Sequence, residues 1–232
     1  MASLPVGLSF GAALSLVRRS YAAAPLPVRL HAVGRFLTCP FLRVLPFLPP
    51  HARILDLGAG HGTFARLAVE AGASEVVAVE PDAHKPLATR RHSRVRFVAG
   101  YGDAVTGTFD AVTVLDVLYR IPVAGWDALL HQAHDRLAPG GVLLLKEIDP
   151  ADRLKGLWNR TQERVADLLG MTLGEAFSYE TREQMRDRLD RLGFERITAV
   201  ELGRGYPHAH ILYVAYRKEP LAVQSSPRRE MA

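Results

Sequence analysis

One cysteine, Cys39, stands in a chain of 232 residues. A lone cysteine excludes an internal disulfide and a zinc site built on cysteines, and it fits a reducing compartment. No apolar run reaches the roughly 18 residues a membrane span requires. Repeats and low-complexity tracts are missing. Acids are missing from residues 1–55, which carry Arg18, Arg19, Arg29, Arg35, Arg43 and Arg53. The net charge is +5, so the rest of the chain is close to neutral. A nucleic-acid enzyme would carry its basic residues around the cleft of its core. The sequence therefore predicts no nucleic-acid partner. Lysine is scarce as well, with four among 29 basic residues, which reads as a compositional bias.

What is present centres on ILDLGAGHG, Ile54 to Gly62. Apolar residues lead into Asp56, and Gly58, Gly60 and Gly62 follow at alternate positions. A buried strand ending in a glycine-rich turn that opens a helix is how a doubly wound fold binds a nucleotide-like ligand. Glycine lets the backbone turn sharply and lets a ligand approach without a Cβ in the way. The helix follows at once, with Phe64, Leu67, Ala68 and Ala71 on one stripe. A dinucleotide turn, GxGxxG, would need glycine where Thr63 stands. An aspartate two residues before the first glycine also suits a ligand ammonium better than a pyrophosphate.

The stretch resembles motif I of the class I S-adenosylmethionine-dependent methyltransferases, a hydrophobic run and then D/E-x-G-x-G-x-G. All four defining positions match. SEVVAVEPD predicts a second strand that ends on Glu80, 22 residues after Gly58. An acid at this spacing accepts hydrogen bonds from ribose hydroxyls. Asp82 reads as the cap of a following helix. RVRFV, Arg94 to Val98, predicts a third strand. The resemblance implies that Asp103, just after it, meets the adenine amino group; an ordinary turn aspartate is the alternative. FDAVTVLDVLYRIP resembles motif IV, with a strand over Phe109–Leu115 that ends on Asp116. The polar-Pro-Pro-aromatic motif of nucleic-acid amino methyltransferases is absent there. Tyr119 either orients an acceptor or packs. LAPGGVLLLKEID predicts a helix end, a Pro-Gly-Gly turn and a fifth strand. Lys146, Glu147 and Asp149 come at its carboxyl end, where open α/β sheets place their sites; solvent exposure or capping is the alternative.

His131 and His134 fall off the apolar stripe of the helix before that turn and imply no metal site. Residues 151–179, with Trp158, Asn159 and Met171, read as a helix and a connection. Thr181 to Gln184 open a capped helix, followed by a strand over Glu195–Leu202, the loop GRGYPH and a last strand over His210–Tyr216. The N-terminal segment predicts helices around 28–36 and 41–45. It is read as an appendage, a lid, a membrane-surface patch or a transit-like segment. A secretory signal is disfavoured because its arginines follow the apolar part.

The expectations are as follows. The fold is α/β, a Rossmann-like, mostly parallel seven-stranded sheet with a reversed last strand, helices on both faces and an N-terminal helical extension. Residues 1–50 form the extension or lid, 51–217 the methyltransferase domain and 218–232 a disordered tail. The cofactor is S-adenosylmethionine, contacted by Asp56, Gly58, Ala59, Gly60, Gly62, Glu80, Pro81, Asp103, Asp116 and Val117. No metal is used. The acceptor is a small, hydrophobic or lipid-like molecule, with His31, Tyr119, His208 and His210 as catalytic candidates. The protein is cytoplasmic, with peripheral contact to anionic membrane through its first segment. A nicotinamide-dependent oxidoreductase and a non-catalytic cofactor-binding module of the same fold are the alternatives.

Overall fold

Strict alternation of side chains sets up the sheet. Strand β1 (Arg53–Leu57) sends Ile54 to one face and Leu55 and Leu57 to the other; β2 (Glu75–Glu80) does the same with Val76 and Ala78 against Val77 and Val79. Such two-faced apolar strands need helices on both sides. The remaining strands are β3 (Val95–Ala99), β4 (Phe109–Leu115), β5 (Leu137–Ile148), β6 (Phe194–Glu201) and β7 (His210–Arg217). The seven lie in the order β3-β2-β1-β4-β5-β7-β6. β7 is antiparallel to both its neighbours, and the other pairs are parallel. This is the predicted Rossmann-like sheet with its reversed last strand. The computed structural model describes residues 8–85, 91–149 and 180–219. The predicted insert 151–179 and the tail beyond Glu219 lie outside the described residues, as does any helix that Asp82 would open.

One face is covered by α1 (Phe10–Ser20), α2 (Leu26–Thr38), α3 (Phe41–Val44) and α4 (Thr63–Glu70). The other carries α5 (Trp126–Arg136) and α6 (Arg182–Arg191). Local signals start these helices. Ser9 caps α1 by accepting from Ala12 N at 3.3 Å. Thr181 and Gln184 form a reciprocal capping box on α6, which satisfies two otherwise orphan N–H groups. α2 has proline in its first turn, where a missing N–H costs nothing.

The predicted Pro-Gly-Gly turn sits inside β5 instead of before it. Leu137 pairs with Phe109, and pairing resumes only at Val142 opposite Ala111. The residues between bulge out, with Gly140 at φ 72°. Leu137 is fully buried, and its side chain explains why the strand begins before the turn.

Candidate functional site

The strands' carboxyl ends converge under α2 and α3. There a cavity of about 340 Å³ is lined by Asp56, Gly58, Ala59, Gly60, His61, Glu80, Leu115, Asp116 and Tyr119 from the sheet side, and by His31, Arg35 and Phe41 from the N-terminal helices. Open α/β sheets place ligands at this edge. A volume of this order suits a small-molecule site.

The glycine turn forms the floor. Gly58 N and Ala59 N both donate to Val79 O, at 2.9 and 3.0 Å, tying the end of β1 to β2. Gly60 N donates to Glu80 Oε2 at 2.8 Å. Gly60 has φ +57°, and a Cβ built there would meet nothing within 4 Å. Its missing side chain leaves room on the cavity side. Gly62, at φ +78°, is needed for a different reason: a Cβ there would lie 2.4 Å from Phe97 Cζ. Gly62 lies outside the cavity lining and caps the start of α4.

Two carboxylates stand at the ends of adjacent strands. Asp56 is 2% exposed, and its Oδ1 accepts from Thr113 Oγ1 at 2.7 Å. Its Oδ2 is buried without a hydrogen-bond partner. Burial pushes its pKa up to about 7; the Thr113 bond opposes this and the nearby Glu80 adds to it. Asp116 is in the reverse condition. Lys146, fully buried, pairs with its Oδ1, Arg35 Nη1 lies 3.0 Å from Oδ2, and Cys39 Sγ donates to Oδ2 at 3.4 Å. Burial alone would raise the Asp116 carboxyl, but Lys146 and then Arg35 hold it well below the usual carboxylate range. Asp116 also has φ +59°, a conformation that persists only where surrounding contacts impose it.

Glu80 is engaged on both oxygens. Besides Gly60 N, it accepts from Lys85 Nζ at 2.8 Å and Asp82 N at 3.3 Å. A carboxylate has about four acceptor positions, so room for one more donor remains. Asp82 Oδ1 accepts from His84 N at 3.0 Å, a local turn bond.

The catalytic candidates separate into two pairs. His31 and Tyr119 line the cavity. Burial lowers the His31 pKa first, and His61, Arg35, Arg120 and Lys85 lower it further. His31 is therefore neutral at pH 7, and its ring meets His61 edge-on at 5.6 Å. His210 is buried behind Asp116, with its Nε2 3.0 Å from Thr38 O. Burial, and then Lys146, push it down to about 3. His208 packs edge-on against His210 at 6.0 Å. This second pair joins β7 to the end of α2 outside the cavity lining. Asp103, Pro81 and Val117 also fall outside the lining: Asp103 is exposed on the turn after β3, and Val117 covers Gly58. Among the described residues no cluster of His, Cys, Asp and Glu could hold a metal ion.

Sequence reasoning missed Arg35, His61, Lys85 and Arg120 as lining residues, and Lys146 as a buried partner. His61 was within reach, since it lies between two of the motif glycines. Glu147, read either as a strand-end site residue or as an exposed or capping one, is buried. Its Oε1 accepts from Val117 N and Leu118 N, at 3.1 and 2.9 Å, and fixes the turn after β4. Burial, and then Asp116, raise its pKa to about 8.

The family model described as "Methyltransferase domain" matches residues 30–199. Among solved structures, a SAM-dependent methyltransferase from Archaeoglobus fulgidus superposes with a TM-score of 0.62 at 14% identity, over 79% of this chain and 94% of that one. The 1,6-didemethyltoxoflavin-N1-methyltransferase of Burkholderia thailandensis gives 0.60 at 19% identity, over 94% and 93%. A methyltransferase from Haloferax volcanii, solved with the Trm112 activator, gives 0.66 at 13%, over 88% and 98%. No curated protein matches the chain. Together with the sheet order and the glycine turn beneath a cavity, the family match identifies the chain as a member of the methyltransferase-domain family, a class I S-adenosylmethionine-dependent methyltransferase.

Proposed function

We propose that this enzyme methylates a small acceptor with an apolar body, bound between the end of β4 and the N-terminal helices. The observation that carries the reading is the buried, unpartnered Oδ2 of Asp56 in the cavity. A buried carboxylate oxygen without a partner is costly, and a ligand ammonium would complete it. In this reading Asp56 takes the cofactor's ammonium and Glu80 one of its ribose hydroxyls. Gly58, Ala59 and Gly60 form the backbone cradle and Asp116 part of its wall, with Gly62, Pro81 and Val117 behind them, outside the lining. Asp103 serves the adenine edge from the turn after β3. S-adenosylmethionine supplies an activated methyl group on a sulfonium.

The protein's own share is orientation, exclusion of water and management of one proton. Holding the reacting atoms in line supplies much of the barrier reduction. The acceptor's lone pair forms the new bond to carbon, and the carbon–sulfur pair stays on sulfur as a thioether. Any acceptor proton passes to His31, which faces the cavity and is neutral at pH 7. Residues 1–50 act as the lid, since α2 and α3 contribute His31, Arg35 and Phe41 to the cavity.

A second reading concerns the outside of that lid. Phe10, Leu26, Leu30 and Leu37 are exposed large apolar residues. Leu26, Leu30 and Leu37 fall on one stripe of α2, with Arg29 beside it. Such a face suits an anionic bilayer surface. No helix among the described residues is long and apolar enough to cross a membrane, so the contact would be peripheral. Sedimentation with anionic vesicles at low and high salt tests it, and no binding at low salt would remove it. The reducing compartment suited to Cys39 remains the expected location.

Calorimetric binding of S-adenosylhomocysteine tests the main reading. Asp56→Ala and Glu80→Ala should each weaken it by more than about tenfold, or 1.4 kcal/mol. Gly60→Val should lose it, because its side chain would enter the cavity at a positive φ. Unchanged affinity in both acid variants would remove the cofactor assignment.

A further inference from the structure

The charge balance of the cavity bears on the acceptor, and this inference rests on the cofactor assignment above. Three carboxylates line the cavity, Asp56, Glu80 and Asp116, together with the cations Arg35, Lys85 and Arg120. Lys146 adds a fourth cation directly beneath, on Asp116. Glu80 is matched by Lys85, and Asp116 by both Arg35 and Lys146. Asp56 faces the cofactor's ammonium. Arg120 is exposed and has no acid within salt-bridge reach among the described residues; its guanidinium carbon lies 5.9 Å from the ring centre of its neighbour Tyr119. S-adenosylmethionine brings one more net positive charge, a sulfonium and an ammonium less a carboxylate. The loaded cavity is left with excess positive charge, and a neutral acceptor would not relieve it.

The cations are also placed to act together. His31 and Arg35 lie four residues apart on α2, so they share a face, and both line the cavity. Arg120 and Tyr119 enter from the other wall, on the turn after β4. Arg35 spends only Nη1 on Asp116. A guanidinium has five N–H donors, and its planar fork matches a carboxylate or a phosphate. Arg35 also stacks near Phe41, 5.7 Å from the ring centre, which puts an apolar surface beside the charged one.

We propose that the acceptor carries an oxyanion, a carboxylate or a phosphate, held between Arg120 and the free edge of Arg35, with its apolar body against Phe41. The enzyme would then distinguish acidic acceptors from their neutral analogues.

The test uses the full chain saturated with S-adenosylhomocysteine. Benzoate, phenyl phosphate and the neutral benzyl alcohol are titrated in separate arms. One or both anions should bind at least tenfold more tightly than the alcohol, and the better one identifies the oxyanion. Arg120→Gln should remove that preference, and Arg120→Lys should keep part of it. Arg120 is exposed, so neither substitution threatens the fold, and thermal melting checks this. Equal binding of the anions and the alcohol would overturn the proposal, as would an anion preference that survives Arg120→Gln. If S-adenosylhomocysteine itself fails to bind the unaltered protein, the cofactor assignment falls. The anion arms are then read on the free protein, where Arg35 and Arg120 still line the cavity, by the same criteria.

Discussion

Asp56 and Asp116 end two hydrogen-bonded neighbours of the sheet, and both are almost fully buried. They have opposite electrostatic fates. Asp116 is surrounded by Lys146, Arg35 and the Cys39 thiol, and its carboxylate is held ionised. Asp56 has one hydroxyl partner, one orphan oxygen and a pKa of about 7. A carboxylate that is fully paired within the protein anchors structure: Asp116 ties α2 to β4 and β5. A carboxylate left incomplete is available to a ligand. The contrast separates the fastening of the lid from the capture of the cofactor, although both acids face the same cavity.

The two should also respond oppositely to pH. The Asp116 pKa is lower folded than unfolded, where it is about 3.9. The stability it contributes is complete above that value and is lost on acidification toward its folded pKa. The Asp56 pKa is higher folded than unfolded. Its ionisation therefore costs stability, with no cost at low pH and the full cost reached above about 7.

Breaking the Asp116 cluster should have the largest effect. Lys146→Met removes one cation from a buried group and should destabilise the protein by roughly 3–5 kcal/mol. Thermal unfolding should fall by roughly 10 °C. A loss below about 1 kcal/mol would mean that Arg35 alone suffices for Asp116. Next is Asp56→Asn, which keeps the acceptor for Thr113 and removes the buried charge. At about pH 8 it should stabilise the cofactor-free protein by roughly 1–3 kcal/mol, and below about pH 4 by almost nothing. Chemical denaturation at the two pH values reads this directly; destabilisation at pH 8 would mean that the Asp56 charge already has a partner. The smallest effect should come from Tyr21→Phe. Tyr21 OH donates to His61 O at 2.7 Å and lies 3.0 Å from Thr63 Oγ1, joining α1 to the glycine turn. Its loss should cost about 1 kcal/mol with a similar weakening of cofactor affinity, seen by melting and calorimetry.

The contrast between the two acids also explains what the sequence revealed. Asp56 was legible because its role depends on local spacing: an apolar strand, an acid and alternate glycines within nine residues. The strands followed from apolar periodicity, and β4 was delimited to the residue, Phe109–Leu115. Asp116 was legible as a strand end, but its partners were not. Arg35, Cys39 and Lys146 come from α2, the end of α2 and β5, and no local pattern announces that they meet. Lys146 was legible as a strand-end residue, with exposure, the usual state of lysine, as its alternative; its burial became visible only when β5 paired between β4 and β7. Tyr21 was hidden for the same reason. No local pattern marks it, and its function depends on a contact 40 residues away.

The central claim is that the incomplete Asp56 carboxylate receives the cofactor's ammonium. Calorimetric affinity for S-adenosylhomocysteine, measured from about pH 5.5 to 8 in the unaltered protein and in Asp56→Asn, tests it most directly. Below about pH 7 Asp56 is protonated in the free protein, so binding a cation there must first expel that proton. Affinity of the unaltered protein should therefore rise with pH, by up to about tenfold per unit, and level off above about pH 7. Asp56→Asn should bind at least tenfold more weakly at pH 8, with that rise removed. Parallel pH profiles in the two proteins, or equal affinity at pH 8, would contradict the account.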